Sequence, residues 1–220
     1  METHDGHWRL GSKEPLTVSS REIIGLTRDA AAPSQEALEG RSRILIRGVA
    51  GMGTLVVKSY LRGGMIAPLL KDRYVGMGAC RARREFEILL RAARAGVNVP
   101  EPMVYLQRKR WIYQCWLLTR FIPNKGTLSR ISQSEPASIP PLMEAVATQV
   151  KILVARGIHH VDLHPGNIIL GEDGQVYILD FDKARVTPMG SGKLAEKYIH
   201  RWNRAIKKHH LPSVLLNPPF

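Results

Sequence analysis

The sequence is poor in cysteine and contains no long apolar run. Its two cysteines, Cys80 and Cys115, lie far apart and outside any Cys-x-x-Cys spacing, so we expect buried thiols rather than a disulfide framework or a structural zinc site. No apolar stretch approaches the roughly 18 residues that a membrane-spanning helix needs, and the polar opening METHDGHWRLGSKEP has no signal-peptide core. With 44% apolar residues, we expect a cytosolic globular protein.

Acidic residues are also scarce relative to basic ones. Asp and Glu number 19 against 32 Lys and Arg, which gives a formal net charge of +13 at pH 7. Such a charge favours an anionic partner, for example a nucleic acid, a phosphate-bearing ligand or a lipid surface. Charge alone leaves these classes, and a generally basic protein without such a partner, open.

Runs rich in β-forming residues, separated by turn-like segments, predict antiparallel strands in the first half of the chain. The runs RILIRGV and TLVVKSY, joined by AGMG, predict a hairpin over residues 43–60, and MVYLQ with WIYQCWLLTRF predict a second strand pair. Between them, CRARREFEILLRAARA has its apolar residues on one helical face and Gly96 as its C-cap. We assign residues 39–122 to an N-lobe, and residues 1–38, which show little periodicity, to a poorly defined lead-in.

The second half predicts helices around one further hairpin, and we assign residues 123–220 to a C-lobe. FIPNKG reads as a linker between the lobes, LMEAVATQVKILVARG as an amphipathic helix, and NIILG with VYILDFD as the hairpin. The segment SGKLAEKYIHRWNRAIKKHH predicts a basic helix. Its apolar stripe favours packing on the lobe over contact with a membrane surface.

One segment of the C-lobe, HHVDLHPGNIIL, is too polar for a core element. Asp162 and Asn167 stand five residues apart before an apolar strand, and Asp180 follows the second strand of that hairpin. The pattern therefore brings three oxygen-bearing side chains to one end of the hairpin. Phosphoryl transfer needs a carboxylate that accepts the hydroxyl proton and hard oxygen ligands for Mg²⁺. Asp-x-x-x-x-Asn followed by Leu-Asp-Phe-Asp has the order of the kinase catalytic and metal-binding motifs.

These motifs resemble those of the protein-kinase-like phosphotransferases. The resemblance implies a two-lobed α+β fold, with an antiparallel-sheet N-lobe and a reduced, mostly helical C-lobe. Only 38 residues follow Asp182, so we do not expect the peptide-docking segments of protein kinases. The resemblance further implies that Asp162 is the catalytic base, that Asn167 and Asp180 hold Mg²⁺ and ATP, and that His160 supports the catalytic loop. The histidine-rich loop has no zinc-binding helical spacing, which makes a zinc site there a remote alternative.

Two residues depart from the protein-kinase pattern. Val161 stands in place of the arginine that precedes the catalytic aspartate, and Asp182 in place of the glycine of the metal-binding motif. That arginine is the residue expected to pair with a phosphorylated activation loop. We therefore predict an enzyme without this switch. His164-Pro165-Gly166 is similar to the corresponding segment of small-molecule kinases.

The N-lobe of such an enzyme needs a lysine for the nucleotide phosphates and a helical glutamate that orients it. Lys58 in TLVVKSY fits the lysine, although a lone lysine in a strand is more often a solvated surface residue. We choose Glu85 over Glu87 because an apolar residue follows it four positions later. GVAGMG lies too close to Lys58 for a glycine-rich loop, which leaves Gly40 and Arg41 as the predicted nucleotide-covering turn.

Further segments narrow the resemblance to the bacterial lipopolysaccharide kinase (Kdo/WaaP) family over about residues 40–210. They are RGG at 62–64, DRY at 72–74, REFEILLRA, NVPEP at 98–102, GIHHVDLHPGNIIL, ILDFDKA and RWNRAIKKH. The resemblance implies transfer of the ATP γ-phosphate to a hydroxyl of the 3-deoxy-D-manno-octulosonic acid (Kdo) sugar on lipid A. It also implies a peripheral position on the cytoplasmic face of the inner membrane and no nucleic-acid partner.

Basic clusters suit that anionic membrane surface, namely RARR at 81–84, RKR at 108–110 and KKHH at 207–210.

Two other functions are also compatible with the sequence. A compact atypical protein Ser/Thr kinase would carry the same catalytic residues. A non-catalytic nucleic-acid-binding module would explain the charge, but it needs no such set of kinase residues.

Overall fold

A computed structural model describes residues 1–28, 42–60, 80–108 and 114–220. The fold is mixed α and β with a large antiparallel sheet, as the sequence predicts. Among the described residues, no helix is both long enough and apolar enough to cross a bilayer.

The chain divides into two compact units, in agreement with the predicted two-lobed organisation. The first combines Met1–Glu87 with Pro102–Phe121, and the second combines Ile88–Glu101 with Ile122–Phe220. The predicted boundary between residues 38 and 39 lies outside the described residues.

The first unit is built on a six-stranded antiparallel sheet in the order β1-β2-β5-β6-β4-β3. Its elements are β1 (Glu2–Asp5), β2 (Trp8–Ser12), α1 (Ser20–Gly25), β3 (Ser42–Val49), β4 (Gly53–Tyr60), β5 (Pro102–Arg108) and β6 (Gln114–Arg120). The two predicted strand pairs, β3 with β4 and β5 with β6, are confirmed. One face packs a core that includes Leu55, Val57 and Leu118. Because side chains alternate along a strand, Lys58 points to the opposite face.

The expected lead-in is wrong for the described N-terminal residues. β1 and β2 form a hairpin that extends the sheet through pairing of β2 with β5. The α1 helix has a capping box between Ser19 and Glu22, and it buries Ile23 and Ile24 in the core. Strands of four or five residues are too short for alternation to be recognised in the sequence. The Ser-x-x-Glu pattern, however, does indicate the start of a helix.

The two cysteines are buried free thiols, as predicted. Cys115 on β6 lies opposite Tyr60 on β4, and Cys80 precedes the next helix. The hydrogen bond between the two thiols lowers the pKa of Cys80 to about 7 and, together with burial, raises that of Cys115.

The second unit combines helices with two small antiparallel sheets, ordered β10-β9-β7 and β11-β8. The α2 helix (Arg81–Arg94) starts in the first unit and continues into the second, where Gly96, at φ +90°, follows its end as predicted. The remaining elements are β7 (Asn124–Thr127), α3 (Leu128–Ser134), α4 (Ile139–Ala155), β8 (Ile158–His159), β9 (Ile168–Gly171), β10 (Val176–Ile178), β11 (Arg185–Val186) and α5 (Ser191–Lys208).

Two sequence predictions for this unit have different outcomes. The expected linker FIPNKG is wrong in its second half, because Asn124 to Gly126 belong to β7, which pairs with β9 through a bulge. The predicted packing of the last helix is confirmed. Its stripe, which includes Leu194, Tyr198 and Trp202, is buried, and the Trp202 indole donates to the carbonyl of Leu215 at 2.8 Å.

Candidate active site

In the first unit, Lys58 and Glu85 form a largely buried ion pair. The Lys58 Nζ atom lies 3.0 Å from both Glu85 carboxylate oxygens, and the two side chains are 15% and 4% exposed. The Tyr60 hydroxyl also donates to Glu85 Oε2. A buried carboxylate is tolerated only when paired and hydrogen-bonded. The pair therefore fixes the ammonium group of Lys58 in one place.

Local structure explains why these two residues meet. On β4, Lys58 alternates with the core residues Leu55 and Val57, so it lies on the sheet face away from that core. On α2, Glu85 lies on the same side as buried Leu89, one turn later. Glu87 is exposed and pairs with Arg83 at 2.7 Å. The structure thus brings Glu85, and not Glu87, to Lys58.

The predicted nucleotide-covering turn at Gly40 and Arg41 lies outside the described residues. So do the RGG and DRY segments that contributed to the family resemblance. Between β3 and β4, GVAGMG forms the hairpin tip, as expected.

In the second unit, His160 anchors the loop that follows β8. Its Nε2 atom lies 2.8 Å from the carbonyl oxygen of Leu179, and its ring meets the Phe181 ring edge-on at 4.6 Å between centroids. Burial lowers the pKa of His160, so the imidazole is neutral and Nε2–H is the donor to Leu179. The ring thereby ties the loop to the segment that carries Asp180.

Tyr198 on α5 holds the other side of the same loop. Its hydroxyl accepts a hydrogen bond from the backbone N–H of His160 at 2.8 Å and donates to the carbonyl of Ile158 at 2.6 Å. All three groups are buried. Because buried backbone groups need partners, Tyr198 fixes the backbone immediately before Asp162.

Asn167 closes the loop with both its backbone and its side chain. Its Nδ2 donates to the carbonyl of Asp162 at 3.0 Å, and its own carbonyl accepts from the N–H of Leu179 at 2.8 Å. A 3-10 turn, Pro165–Asn167, shapes the segment, and His164 Nδ1 caps it by accepting from the Gly166 N–H at 3.1 Å. Within the described chain, the side-chain oxygen of Asn167 accepts no hydrogen bond.

Asp180 is exposed and follows the anchored residue Leu179. Its φ of +60° lies in the left-handed region, which non-glycine residues seldom adopt. Such backbone strain persists where the surroundings impose it, typically at functional sites. Asp180 lies between Leu179, which bonds to His160 and Asn167, and the buried Phe181.

The donor set of Asn167 and Asp180 fits Mg²⁺. An amide oxygen and a carboxylate are hard oxygen ligands, and Mg²⁺ is commonly held by one or two protein groups together with phosphates and water. The Asn167 amide nitrogen donates to the Asp162 carbonyl, which leaves the amide oxygen as the side-chain atom for a metal ion. In the described part of the chain, no cluster of three or more His, Cys, Asp or Glu side chains could hold a metal by itself.

Arg201 on α5 is a site residue that sequence reasoning missed. Its Nη2 donates to Asp162 Oδ1, with the two side chains 23% and 34% exposed. Burial alone would raise the pKa of Asp162, but the Arg201 hydrogen bond and the nearby positive charges outweigh it and lower that pKa. Asp162 is therefore ionised at neutral pH. The only sequence signal was the basic character of RWNRAIKKH.

Comparison with known proteins places this chain in a family. The model of the lipopolysaccharide kinase (Kdo/WaaP) family matches residues 30–212. A 3-deoxy-D-manno-octulosonic acid kinase of Vibrio parahaemolyticus is 34% identical over 159 residues, which covers 70% of this chain and 65% of the relative.

Proteins of the same name from other bacteria are also similar to this chain. The Vibrio vulnificus protein is 31% identical over 161 residues, covering 72% of this chain and 67% of that protein. The Xanthomonas axonopodis protein is 28% identical over 162 residues, covering 72% and 64%. The match thus spans about two thirds of the length of these relatives, and it confirms the resemblance read from the motifs. The chain belongs to the lipopolysaccharide kinase (Kdo/WaaP) family.

Proposed function

We propose that this protein is an ATP-dependent kinase that phosphorylates a hydroxyl group of the Kdo sugar on lipid A. The observation that carries the proposal is the loop in which Asp162, Asn167 and the segment before Asp180 are tied together by hydrogen bonds. The names of the relatives, 3-deoxy-D-manno-octulosonic acid kinase, support the choice of acceptor.

Lys58 and Glu85 supply the phosphate-binding part of the proposed site. Lys58 holds the α- and β-phosphates of ATP, and Glu85 keeps its ammonium group oriented through the two 3.0 Å contacts. A lysine positioned in advance stabilises the charge of the transferring group without reorganisation during the reaction.

Asp162 is the proposed base. It is ionised at neutral pH, and its Oδ1 is held by Arg201, so Oδ2 accepts the proton of the attacking sugar hydroxyl. The hydroxyl oxygen forms a bond to the γ-phosphorus as the bond to the β–γ bridging oxygen breaks, and ADP leaves. Asn167 and Asp180 would hold Mg²⁺, which neutralises phosphate charge when bound.

The proposed acceptor also accounts for the charge of the chain. Lipid A lies in an anionic bilayer, and each basic residue near such a surface adds about 1 kcal/mol of attraction. The net charge of +13 suits a peripheral enzyme on the cytoplasmic face of the inner membrane. This location is part of the proposal.

The test is the transfer of γ-phosphate from ATP and Mg²⁺ to Kdo-lipid A, with Asp162→Asn as the test variant. Asp173→Asn is the matched control, because Asp173 is an exposed aspartate in the turn between β9 and β10. Loss of the base is expected to lower kcat by roughly 100- to 10,000-fold, whereas the control keeps wild-type activity.

Three outcomes would contradict the proposal. Full activity of Asp162→Asn would remove Asp162 as the base. Phosphate found only in an added protein acceptor would point to an atypical Ser/Thr kinase. Steeply salt-dependent binding of nucleic acid without any ATP turnover would point to a binding module.

A further inference from the structure

The guanidinium group of Arg201 has more N–H donors than it uses in the described part of the chain. A guanidinium group carries five N–H donors, yet within the described chain Arg201 makes one hydrogen bond, from Nη2 to Asp162 Oδ1. Its side chain is 23% exposed. The remaining donors are therefore available to a ligand that approaches Asp162 from solvent.

The surroundings of Asp162 are positively charged. Arg201 comes from α5, and the positive charge of Lys183, on the segment after Asp180, also acts on Asp162. On the loop, the His164 ring stacks on that of His209 at the end of α5, with 6.4 Å between centroids. An anionic group bound here would gain from the positive charges of Arg201 and Lys183, while Asp162 supplies one carboxylate.

The ion pair between Arg201 and Asp162 is suited to exchange. Half-exposed ion pairs contribute little stability, typically about 0–1 kcal/mol. Arginine binds carboxylates in a planar, two-pronged geometry that lysine cannot reproduce. A ligand carboxylate can thus bind the N–H donors of Arg201 that Asp162 does not use, at a small cost in stability. The ligand would then be separated from the proposed base, Asp162, by one guanidinium group.

We propose that Arg201 determines acceptor specificity by binding the carboxylate of the sugar acid and so placing a hydroxyl of the same sugar at Asp162. The inference rests on the proposed function, since it concerns the acceptor of that reaction. The relatives are named for a sugar acid, so such an acceptor carries a carboxylate as well as hydroxyl groups. Phosphate on the lipid is the other possible source of negative charge, and the experiment separates the two.

The experiment compares enzymes and acceptors in one matrix. The enzymes are wild type, Arg201→Gln, Arg201→Lys and Arg204→Gln, the last being an exposed arginine on the same helix. The acceptors are Kdo-lipid A, the same lipid with its Kdo carboxylates converted to neutral amides, and the lipid with its lipid A phosphates removed. The kcat/KM for each acceptor and the KM for ATP are measured.

We expect the wild-type enzyme to lose roughly 10- to 100-fold in kcat/KM when the carboxylates become amides, the value of a charge-assisted hydrogen bond. The kcat/KM of Arg201→Gln on Kdo-lipid A should be lower than that of the wild type by a similar factor. For this variant, kcat/KM should be the same on Kdo-lipid A and on its amide. Arg201→Lys should recover part of the preference for the carboxylate acceptor over the amide. Arg204→Gln should behave as wild type, and the KM for ATP should stay unchanged in all four enzymes.

Other results would overturn the inference. If Arg201→Gln lowers kcat equally on the acid and the amide while the wild type ignores the difference, Arg201 only positions Asp162. If instead Arg201→Gln and wild type have the same kcat/KM on the dephosphorylated lipid, Arg201 binds a lipid phosphate. Thermal unfolding of each variant shows whether it is folded, and binding of the free sugar acid to wild type and Arg201→Lys gives a second readout. Absence of wild-type transfer to every acceptor overturns the proposed function, and this inference with it.

Discussion

At the scale of single residues, the pairing of Lys58 with Glu85 makes a sharp distinction between two glutamates on one helix. Glu85 is buried and holds Lys58 at two 3.0 Å contacts, whereas Glu87, two positions on, is exposed and bound to Arg83. Replacing either by glutamine removes one charge with little change in shape. Only the first change disturbs the group proposed to hold the nucleotide phosphates.

Glu85→Gln is therefore expected to lower kcat/KM by roughly 10- to 100-fold, the value of a hydrogen bond to a charged group. Glu87→Gln should stay close to wild type. Steady-state kinetics with varied ATP measure the difference, and circular dichroism checks the fold of both variants. Equal activity of the two variants would exclude Glu85 as the orienting residue.

Glu2 offers a pH-dependent test of the N-terminal hairpin. The hydrogen bond from Tyr105, and then that from Arg9, lower the pKa of Glu2 from 4.5 to about 2. Because the folded pKa lies below the unfolded one, the contribution of Glu2 to stability is present above about pH 4.5 and is lost as pH falls towards 2.

Glu2→Gln should thus be less stable than wild type at pH 7, and the gap in the free energy of unfolding should narrow below about pH 4.5. Urea denaturation at a series of pH values measures it. A gap that stays constant across this range would show that the charge of Glu2 contributes nothing.

Which site residues the sequence could reveal depended on local spacing. Asp162 and Asn167 are five apart in one loop, and Asp180 follows in the next hairpin, so a motif captures them. Arg201 and Tyr198 reach the same loop from α5 across the fold. No local pattern marks such contacts, because only tertiary packing creates them.

At the scale of elements, long periodic segments were predictable and short ones were not. The strands β3 and β4 are eight residues long and contain the apolar runs Ile-Leu-Ile and Leu-Val-Val, which are rich in β-branched residues, and α5 shows a helical stripe. The four-residue strand β7 contains Asn, Lys, Gly and Thr and exists because β9 offers it a partner. Such a strand follows from pairing rather than from propensity.

The role of α5 in holding the loop that carries Asp162 can be tested with Tyr198→Phe. The change leaves the His160 N–H and the Ile158 carbonyl buried without their partner, at a cost of about 1–3 kcal/mol each. We expect a clearly lower Tm and reduced phosphate transfer.

Tyr177→Phe is the control for this prediction, because the Tyr177 hydroxyl bonds the exposed Asp173 at 2.6 Å. The loss of an exposed hydrogen bond should change the Tm little. If thermal unfolding of the two variants coincides, Tyr198 does not hold the loop.

At the scale of the whole molecule, each of the two compact units contains residues that the family resemblance assigns to a kinase. The first contains Lys58 and Glu85, and the second contains Asp162, Asn167 and Asp180. The family match over residues 30–212 covers both. A binding module would need neither the largely buried ion pair nor the left-handed backbone of Asp180, so the combination favours catalysis over binding alone.

The most direct test of the central proposal is mass spectrometry of Kdo-lipid A after incubation with the protein, ATP and Mg²⁺. The proposal predicts a product with one added phosphate, located by fragmentation on the Kdo sugar and formed at a strongly reduced rate by Asp162→Asn. Unmodified lipid, or a phosphate located elsewhere on the lipid, would contradict it.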